Sequence, residues 1–366
     1  MTARKATNRD EAGGRNALAA LERNSSLLTG RTGLLGLLIP ELPALPPGDE
    51  PLVITEHAGV AAGLERRGGC RVLFGYQAPE TDQGSLDTLV IFVPKARDTL
   101  NLYLSLARYL LSAQGQVVLV GEKREGIAGA ARQLLGLAPD AQKVDSARHC
   151  QVWTARLPGA SERFDLSQWL QWHEVACAGT QIAVAGLPGI FSDGRLDEGT
   201  ARLLESLAEI PVGGPVLDFA CGAGVIGAWL QARSPGQGPV DGVDVQAQAV
   251  FCARQTYDRN NANGTIVASD GLPEDLGLYQ AVVTNPPFHS GVRTDTSMTE
   301  AFLEQVRRHL QPGGELRLVA NRFLPYRGLI EASIGPCKVL SEDRRYTVYQ
   351  AFREKPARGR DRSRVR

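Results

Sequence analysis

A glycine-rich turn directly after a buried strand limits what the second half of this 366-residue chain can become. Val216-Leu217-Asp218-Phe219-Ala220-Cys221-Gly222-Ala223-Gly224-Val225-Ile226-Gly227 reads as an apolar strand, a turn and the opening of a helix. Gly-x-Gly-x-x-Gly is a weak signal alone, but between a strand and a helix it has the context of a ligand-binding crossover. Strands are predicted at Pro215–Phe219, Gly242–Val245, Thr265–Ala268, Ala281–Thr284 and Leu316–Ala320. Helices are predicted at Leu196–Leu207, from Gly224 through Trp229, and at Ala247–Asn260 and Met298–Leu310. Lys338–Leu340 and Tyr346–Phe352 read as a closing antiparallel hairpin. Continuous apolar strands alternating with helices imply a mostly parallel sheet covered on both faces.

The first half follows the same grammar. Val53–Thr55, Arg71–Phe74, Thr88–Val93 and Val117–Val120 read as strands, and Ala58–Arg66 and Leu100–Leu111 as helices. Leu106 to Leu110 with Gly115 to Lys123 lines up with Val306 to Leu310 with Gly314 to Arg322, and Val93-Pro94-Lys95 falls near the place of Asn285-Pro286-Pro287. The first copy lacks both the Gly-x-Gly turn and the Asn-Pro-Pro. The expected fold class is therefore α/β, two tandem Rossmann-like domains, each a mostly parallel seven-stranded sheet with an antiparallel C-terminal hairpin, the N-terminal copy degenerate. The expected layout is a flexible leader over 1–33, a degenerate domain over 34–180, a catalytic domain over 186–354 and a basic tail over 355–366.

Formal net charge is zero, so the whole molecule does not advertise nucleic-acid binding, although a local patch is compatible with it. The six cysteines form no Cys-x-x-Cys pair, which argues against a zinc site or a disulfide framework and fits a reducing cytoplasm. No metal is expected. Neither a signal peptide nor a membrane span is visible in the sequence.

Acids stand at the carboxyl ends of three successive strands, where open α/β sheets bind ligands: Asp218, Asp244 and Asp270. With Ala220, Gly222 and Gly224 they suit S-adenosyl-L-methionine, which is cationic and carries no phosphate. Asp218 would lie near its positive end, Asp244 would accept from the ribose hydroxyls and Asp270 from the adenine amino group. Asn285-Pro286-Pro287-Phe288 ends the fourth strand beside the expected methyl donor. The Asn285 side-chain oxygen and the Pro286 carbonyl can both accept from an exocyclic amine and so direct its lone pair. The prolines stiffen the backbone and remove competing donors. Phe288 offers a stacking face, and a buried target amine implies a flipped or single-stranded base. Cys221 reads as a small filler, and His289 as a loop histidine rather than a base.

The segments Gly189-Ile190-Phe191-Ser192, Leu196 to Thr200, Asp218 to Gly224, Asn285 to His289 and Val319 to Tyr326 resemble the bacterial ribosomal RNA guanine-N2 methyltransferases. Gly121 to Gly126, Lys143 to Arg148 and Phe323-Leu324-Pro325-Tyr326 look most like the small-subunit (16S) branch. The resemblance runs from about Leu34, and the leader and the Arg-rich tail depart from it. It implies two tandem methyltransferase-like domains, of which only the second binds S-adenosylmethionine while the first helps folding and RNA docking. It also implies cofactor roles for Asp218, Gly222, Gly224, Asp244 and Asp270 and target-base roles for Asn285, Pro286 and Phe288. Asn321 matches a position near the substrate. His289, Arg293 and Arg322 are further substrate-side candidates, and Arg293, Arg322 and Arg327 are candidates for an RNA-docking patch. The expected partner is 16S rRNA, met in the 30S subunit by a monomer. Two other readings compete: an amino-methyltransferase acting on adenine or protein glutamine, and a non-catalytic assembly factor.

Overall fold

The computed structural model describes residues 3–45, 50–157, 163–190, 196–286 and 296–354, with the backbone alone at 3–11, 296 and 297. The first half runs α1 (Ala3–Glu22), β1 (Thr32–Leu35), β2 (Leu52–Thr55), α2 (Ala58–Arg67), β3 (Arg71–Phe74), β4 (Leu86–Phe92), α3 (Arg97–Leu110), β5 (Leu111–Glu122), α4 (Ile127–Leu137), β6 (Gln142–Asp145) and β7 (Cys150–Arg156). A hairpin follows, β8 (Gln171–Cys177) and β9 (Thr180–Gly186). The second half runs α5 (Glu198–Glu209), β10 (Val216–Phe219), α6 (Val225–Arg233), β11 (Val240–Asp244), α7 (Ala247–Asn260), β12 (Ile266–Ala268), β13 (Tyr279–Thr284), α8 (Thr296–His309), β14 (Leu310–Asn321), α9 (Tyr326–Ser333), β15 (Cys337–Glu342) and β16 (Tyr346–Phe352).

The duplication read from the sequence is a duplication of topology. One seven-stranded sheet has the order β3-β2-β1-β4-β5-β7-β6, the other β12-β11-β10-β13-β14-β16-β15. In each, the first five strands in chain order pair in parallel and the last two close an antiparallel edge. Apolar side chains fill both faces of each sheet. Leu89, Ile91, Leu104 and Leu119 lie in one cluster of the first sheet, and Val53, Val90 and Val118 in the other. At about 1.5–3 kcal/mol per fully buried large side chain, these layers dominate the stability of each half.

The strand registers superpose the halves residue by residue. Thr88 pairs with Gln116 as Ala281 pairs with Glu315. Carrying that match through the sheets places Leu34 at the position of Asp218, Thr55 at that of Asp244 and Phe92 at that of Asn285. Apolar or neutral residues thus replace three polar ones, which is the physical content of "degenerate". The register also moves the sequence alignment by one residue: Phe92-Val93-Pro94, not Val93-Pro94-Lys95, matches Asn285-Pro286-Pro287.

Within the expected leader over 1–33, the described residues include α1 and the first residues of β1. α1 is a helix whose last turns bury Ala17, Leu18, Ala20 and Leu21, and Asn24 Nδ2 donates to Asp145 Oδ2 at 2.9 Å. Alanines and a leucine pair sufficed to dock it, although its overall composition is polar. The β8–β9 hairpin spans the expected boundary near 180. Val175, Ile182 and Val184 belong to a core of the second half. Ala185 N–H donates to Thr256 Oγ1 at 3.0 Å, and Trp229 Nε1 donates to the Cys177 carbonyl at 3.1 Å. The β8–β9 hairpin therefore packs with α6 and α7. The tail over 355–366 lies outside the described residues.

The halves meet through equivalent corners. Ala58 N–H donates to the Val245 carbonyl at 2.9 Å, and Ala247 N–H donates to the Glu56 carbonyl at 2.8 Å. His57 and Gln246 face each other in an antiparallel bridge. Beside it, Tyr103 Oη donates to Glu56 Oε1 at 2.6 Å, and Gln248 Nε2 donates to Tyr76 Oη at 2.7 Å. Cys252 of α7 is fully buried in a core of the first half.

Candidate active site

The glycine-rich turn bends between β10 and α6. Gly222 and Gly224 have φ of +54° and +78°, and Ala220 adopts φ +57°, a left-handed conformation uncommon for a residue with a Cβ. Each glycine answers a different need. Open space lies where a Gly222 Cβ would point, a Gly224 Cβ would crowd Ala253 and Tyr257 at 3.1 Å, and a Gly227 Cβ would take the place of the Tyr257 hydroxyl. The turn is tied down from the neighbouring strand: Gly222 N–H donates to Asp244 Oδ2 at 2.9 Å, and Cys221 N–H donates to the Val243 carbonyl at 3.1 Å.

Asp244, at the tip of β11, is 9% exposed and also accepts from Gln246 N–H through Oδ1 at 2.9 Å. Burial raises its carboxyl above the usual carboxylate range, against these backbone hydrogen bonds. Asp218 lies deeper than its sequence position suggests. It is fully buried under the turn, and neither carboxyl oxygen has a hydrogen-bond partner of good geometry, although the Gly227 N–H leans toward it. Burial first, then the Asp244 charge, push the Asp218 carboxyl well above the usual range. An orphaned buried acid beneath an open glycine turn suits a cationic ligand above it, and this fits S-adenosylmethionine better than a pyrophosphate. Burial first, then the same two acids, push the Cys221 thiol well up, so it is an inert filler.

β13 delivers the Asn-Pro-Pro motif to the same edge. Thr284 pairs with Phe219, and Thr284 Oγ1 donates to the Phe219 carbonyl at 2.8 Å, so Asn285 leaves the sheet beside the start of the turn. Asn285 Nδ2 donates to Asp197 Oδ2 at 2.8 Å and to Thr200 Oγ1 at 2.9 Å. That fixes which side of the amide carries the acceptor oxygen. Asp197 is the N-cap of α5, where Oδ2 also accepts from Thr200 N–H at 2.9 Å. α5 is in turn held by a buried arginine: Arg317 of β14 donates to the Ser206 and Ile210 carbonyls at 3.1 and 3.2 Å and pairs with Glu315 at 2.5 Å.

The N-terminal residues 19–173 match the family model "Methyltransferase small domain N-terminal", and residues 181–350 match "Methyltransferase small domain". The chain is 44% identical over 298 residues to the ribosomal RNA small subunit methyltransferase C of Pseudomonas aeruginosa, covering 81% of this chain and 87% of that one. It is 46% identical over 267 residues to the Hahella chejuensis protein of the same name, covering 73% and 78%. The chain belongs to the ribosomal RNA small subunit methyltransferase C family. In the solved structures, the T. thermophilus 16S rRNA N2 G1207 methyltransferase in complex with AdoMet and guanosine has the same fold, with TM-score 0.74, 24% identity and 89% of each chain covered.

Membership in the small subunit methyltransferase C family makes the chain a methyltransferase. The structure brings Asp218, Ala220, Gly222, Gly224, Asp244, Asn285 and the buried Pro286 to one end of the second sheet. Asp270 follows β12 on the same edge and lies against Gly59 of the first half. Asn321, at the end of β14, is matched in the first half by Glu122. Arg322 is ion-paired with Glu342 at 3.2 Å and Arg327 with Glu331 at 3.0 Å, so two candidates for the docking patch carry locally compensated charge. Pro287, Phe288, His289 and Arg293 lie outside the described residues. Sequence reasoning assigned no role to Asp197, Thr200 or His57. For the first two a signal existed, their place in the Leu196 to Thr200 segment. Among the described residues no group of three or more His, Cys, Asp or Glu is placed to hold a metal, and no helix is long and apolar enough to cross a membrane.

Proposed function

We propose that this chain transfers a methyl group from S-adenosylmethionine to the exocyclic N2 of one guanine in 16S rRNA. The observation that carries the reading is Asn285, oriented by Asp197 and Thr200 beside the glycine turn. The cofactor supplies an electrophilic methyl on a sulfonium. The chain supplies alignment and a dry surface, which suffice for such a displacement. Asn285 Oδ1 and the Pro286 carbonyl accept from the amine and turn its lone pair toward the methyl. Phe288 stacks the base, with His289, Arg293, Asn321 and Arg322 on the substrate side. Asp244 accepts from the ribose, Asp270 from adenine, and Asp218, under the turn, balances the cationic end from below.

Residues 186–354 with the β8–β9 hairpin form the catalytic unit in this reading, and the first half positions it on RNA. The enzyme acts as a cytoplasmic monomer on the assembled 30S subunit. Near-zero net charge favours a shaped docking surface over general RNA affinity. The test is tritiated-methyl transfer to unmodified 30S subunits, free 16S rRNA and DNA, followed by nucleoside analysis. N2-methylguanosine from 30S, lost in Asn285→Ala, is expected. Methyladenine, or no transfer to any nucleic acid, would overturn it.

A further inference from the structure

The corner after β2 brings the non-catalytic half against the acids of the second sheet. Its backbone pairs with Val245 and Ala247, immediately beyond Asp244. His57 opposes Gln246, whose N–H donates to Asp244 Oδ1. On the other side of the corner, Gly59 touches Asp270: a Cβ at Gly59 would overlap the Asp270 Oδ2 and stand 3.1 Å from the Asp270 Cβ. Nothing in the first half requires a glycine there. Position 59 lies in the first turn of α2 without left-handed φ, where alanine is the better helix former. The space its missing side chain leaves is filled by an acid from the other half.

His57 is the N-cap of α2, and its Nδ1 accepts from Gly59 N–H at 3.1 Å. The neutral ring therefore carries its proton on Nε2. Asp270 and then Asp244 act on the ring electrostatically, yet burial outweighs them and lowers its pKa, which favours the neutral donor. Next to it, Glu56 is held protonation-prone by burial, against hydrogen bonds from Tyr103 and Gln248.

We propose that the adenosine side of the cofactor site is built by both halves of the chain, with Gly59 making room for Asp270 and His57 acting as a positioning residue for Asp270 and Asp244. This rests on the reading of those two acids as the adenine and ribose acceptors. The first half is then a wall of the cofactor site, which explains why a domain with Leu34, Thr55 and Phe92 in place of site residues stays docked at this corner.

Two substitutions in the full-length chain separate this from a purely structural contact. Gly59→Ala adds one methyl against Asp270 while favouring α2. His57→Asn keeps an N-cap acceptor for Gly59 N–H and deletes the Nε2 side of the ring. Calorimetric titration with S-adenosylmethionine and S-adenosylhomocysteine is expected to show both variants weakened by about five- to twentyfold, the scale of one displaced acceptor carboxylate. The unliganded Tm of both is expected to stay at or above the wild-type value, and KM for 30S subunits to stay unchanged. Wild-type affinity in both variants would overturn the proposal, as would affinity that falls only in step with Tm. A wild-type chain that binds neither ligand would overturn the cofactor reading as well; wild-type binding with unaltered variants overturns this proposal alone.

Discussion

The Asp197 carboxylate accepts a 2.8 Å hydrogen bond from Asn285 Nδ2, joining the cap of α5 to the tip of β13. One carboxylate oxygen thus does two jobs, since it also accepts from Thr200 N–H. The helix start and the amide orientation are coupled, and with them the acceptor that faces the amine.

Asn285→Ala is expected to lower kcat by about 10²–10³, the usual cost of one oriented polar group at a reacting centre. Its effect on S-adenosylmethionine affinity should stay within about tenfold. Asp197→Ala should cost about 1 kcal/mol of stability through the lost cap and lower kcat by less than Asn285→Ala, because the amide stays but is no longer held. Single-turnover methylation with calorimetric binding checks both. Equal kcat in Asp197→Ala and wild type would remove the orienting role.

Asp218 makes the stability of the unliganded protein depend on pH. Burial and the Asp244 charge raise its folded-state pKa, so the protonated carboxyl is the form the fold tolerates. The stability it contributes is whole below its unfolded value of about 4 and is lost as pH rises through the folded value. Asp218→Asn removes the buried charge. Its unliganded Tm should exceed that of the wild type at pH 8, and the gap should close toward pH 4. Differential scanning calorimetry across that range measures it, and a gap independent of pH would contradict the assignment.

The second sheet and four strands of the first, β2 to β5, were legible because they are apolar runs bounded by turn residues; β1 and β7 were not read as strands. α1 was not legible, because only its last turns carry leucines and its first residues are charged. β6 was missed because Gln142, Lys143 and Val144 are all exposed and only Val144 is apolar, as befits an edge strand. The glycine turn and Asn285 were legible as local motifs. The depth of Asp218 was not, since nothing in Leu217-Asp218-Phe219 tells a rim acid from one beneath the turn. Nor were the partners of Asn285, which lie 85 and 88 residues away and meet it only when β13 ends beside α5. His57 gave no signal at all, because its neighbours Asp244 and Asp270 belong to the other half of the chain.

Arg317 is fully buried and holds the C-terminal end of α5 while Glu315 accepts from both Arg317 and Gln350. Arg317→Met would leave Glu315 in the core without its cationic partner and remove the Arg317 donor from the Ser206 and Ile210 carbonyls. The expected loss is about 3–5 kcal/mol. Adding Glu315→Leu should recover much of it, because a buried pair replaced by apolar side chains is often close to neutral. Urea unfolding of the two single variants and the double variant gives the coupling. Additive losses would show that the pair is not a unit.

Among the described residues, Phe323 is the most exposed of the large apolar side chains, at 64%, on the loop between β14 and α9, one residue from Arg322. An isolated exposed phenylalanine contributes little to folding, so its replacement should leave Tm unchanged. It lies past Asn321 at the end of β14, and in the proposed reaction it would stack on a nucleotide of the RNA. Phe323→Ala should then raise KM for 30S subunits by about 5- to 100-fold, the range of about 1–3 kcal/mol for one stacked base, without changing S-adenosylmethionine affinity. Phe323→Trp should keep the stacking face and most of the activity. Arg322→Ala tests the phosphate side of the same loop. It trades the Glu342 pair for nothing and should reduce the salt dependence of RNA binding by about one phosphate contact. If Phe323→Ala left KM unchanged across salt concentrations while Arg322→Ala raised it, the loop would hold RNA by charge alone, and the exposed ring would have no part in recognition.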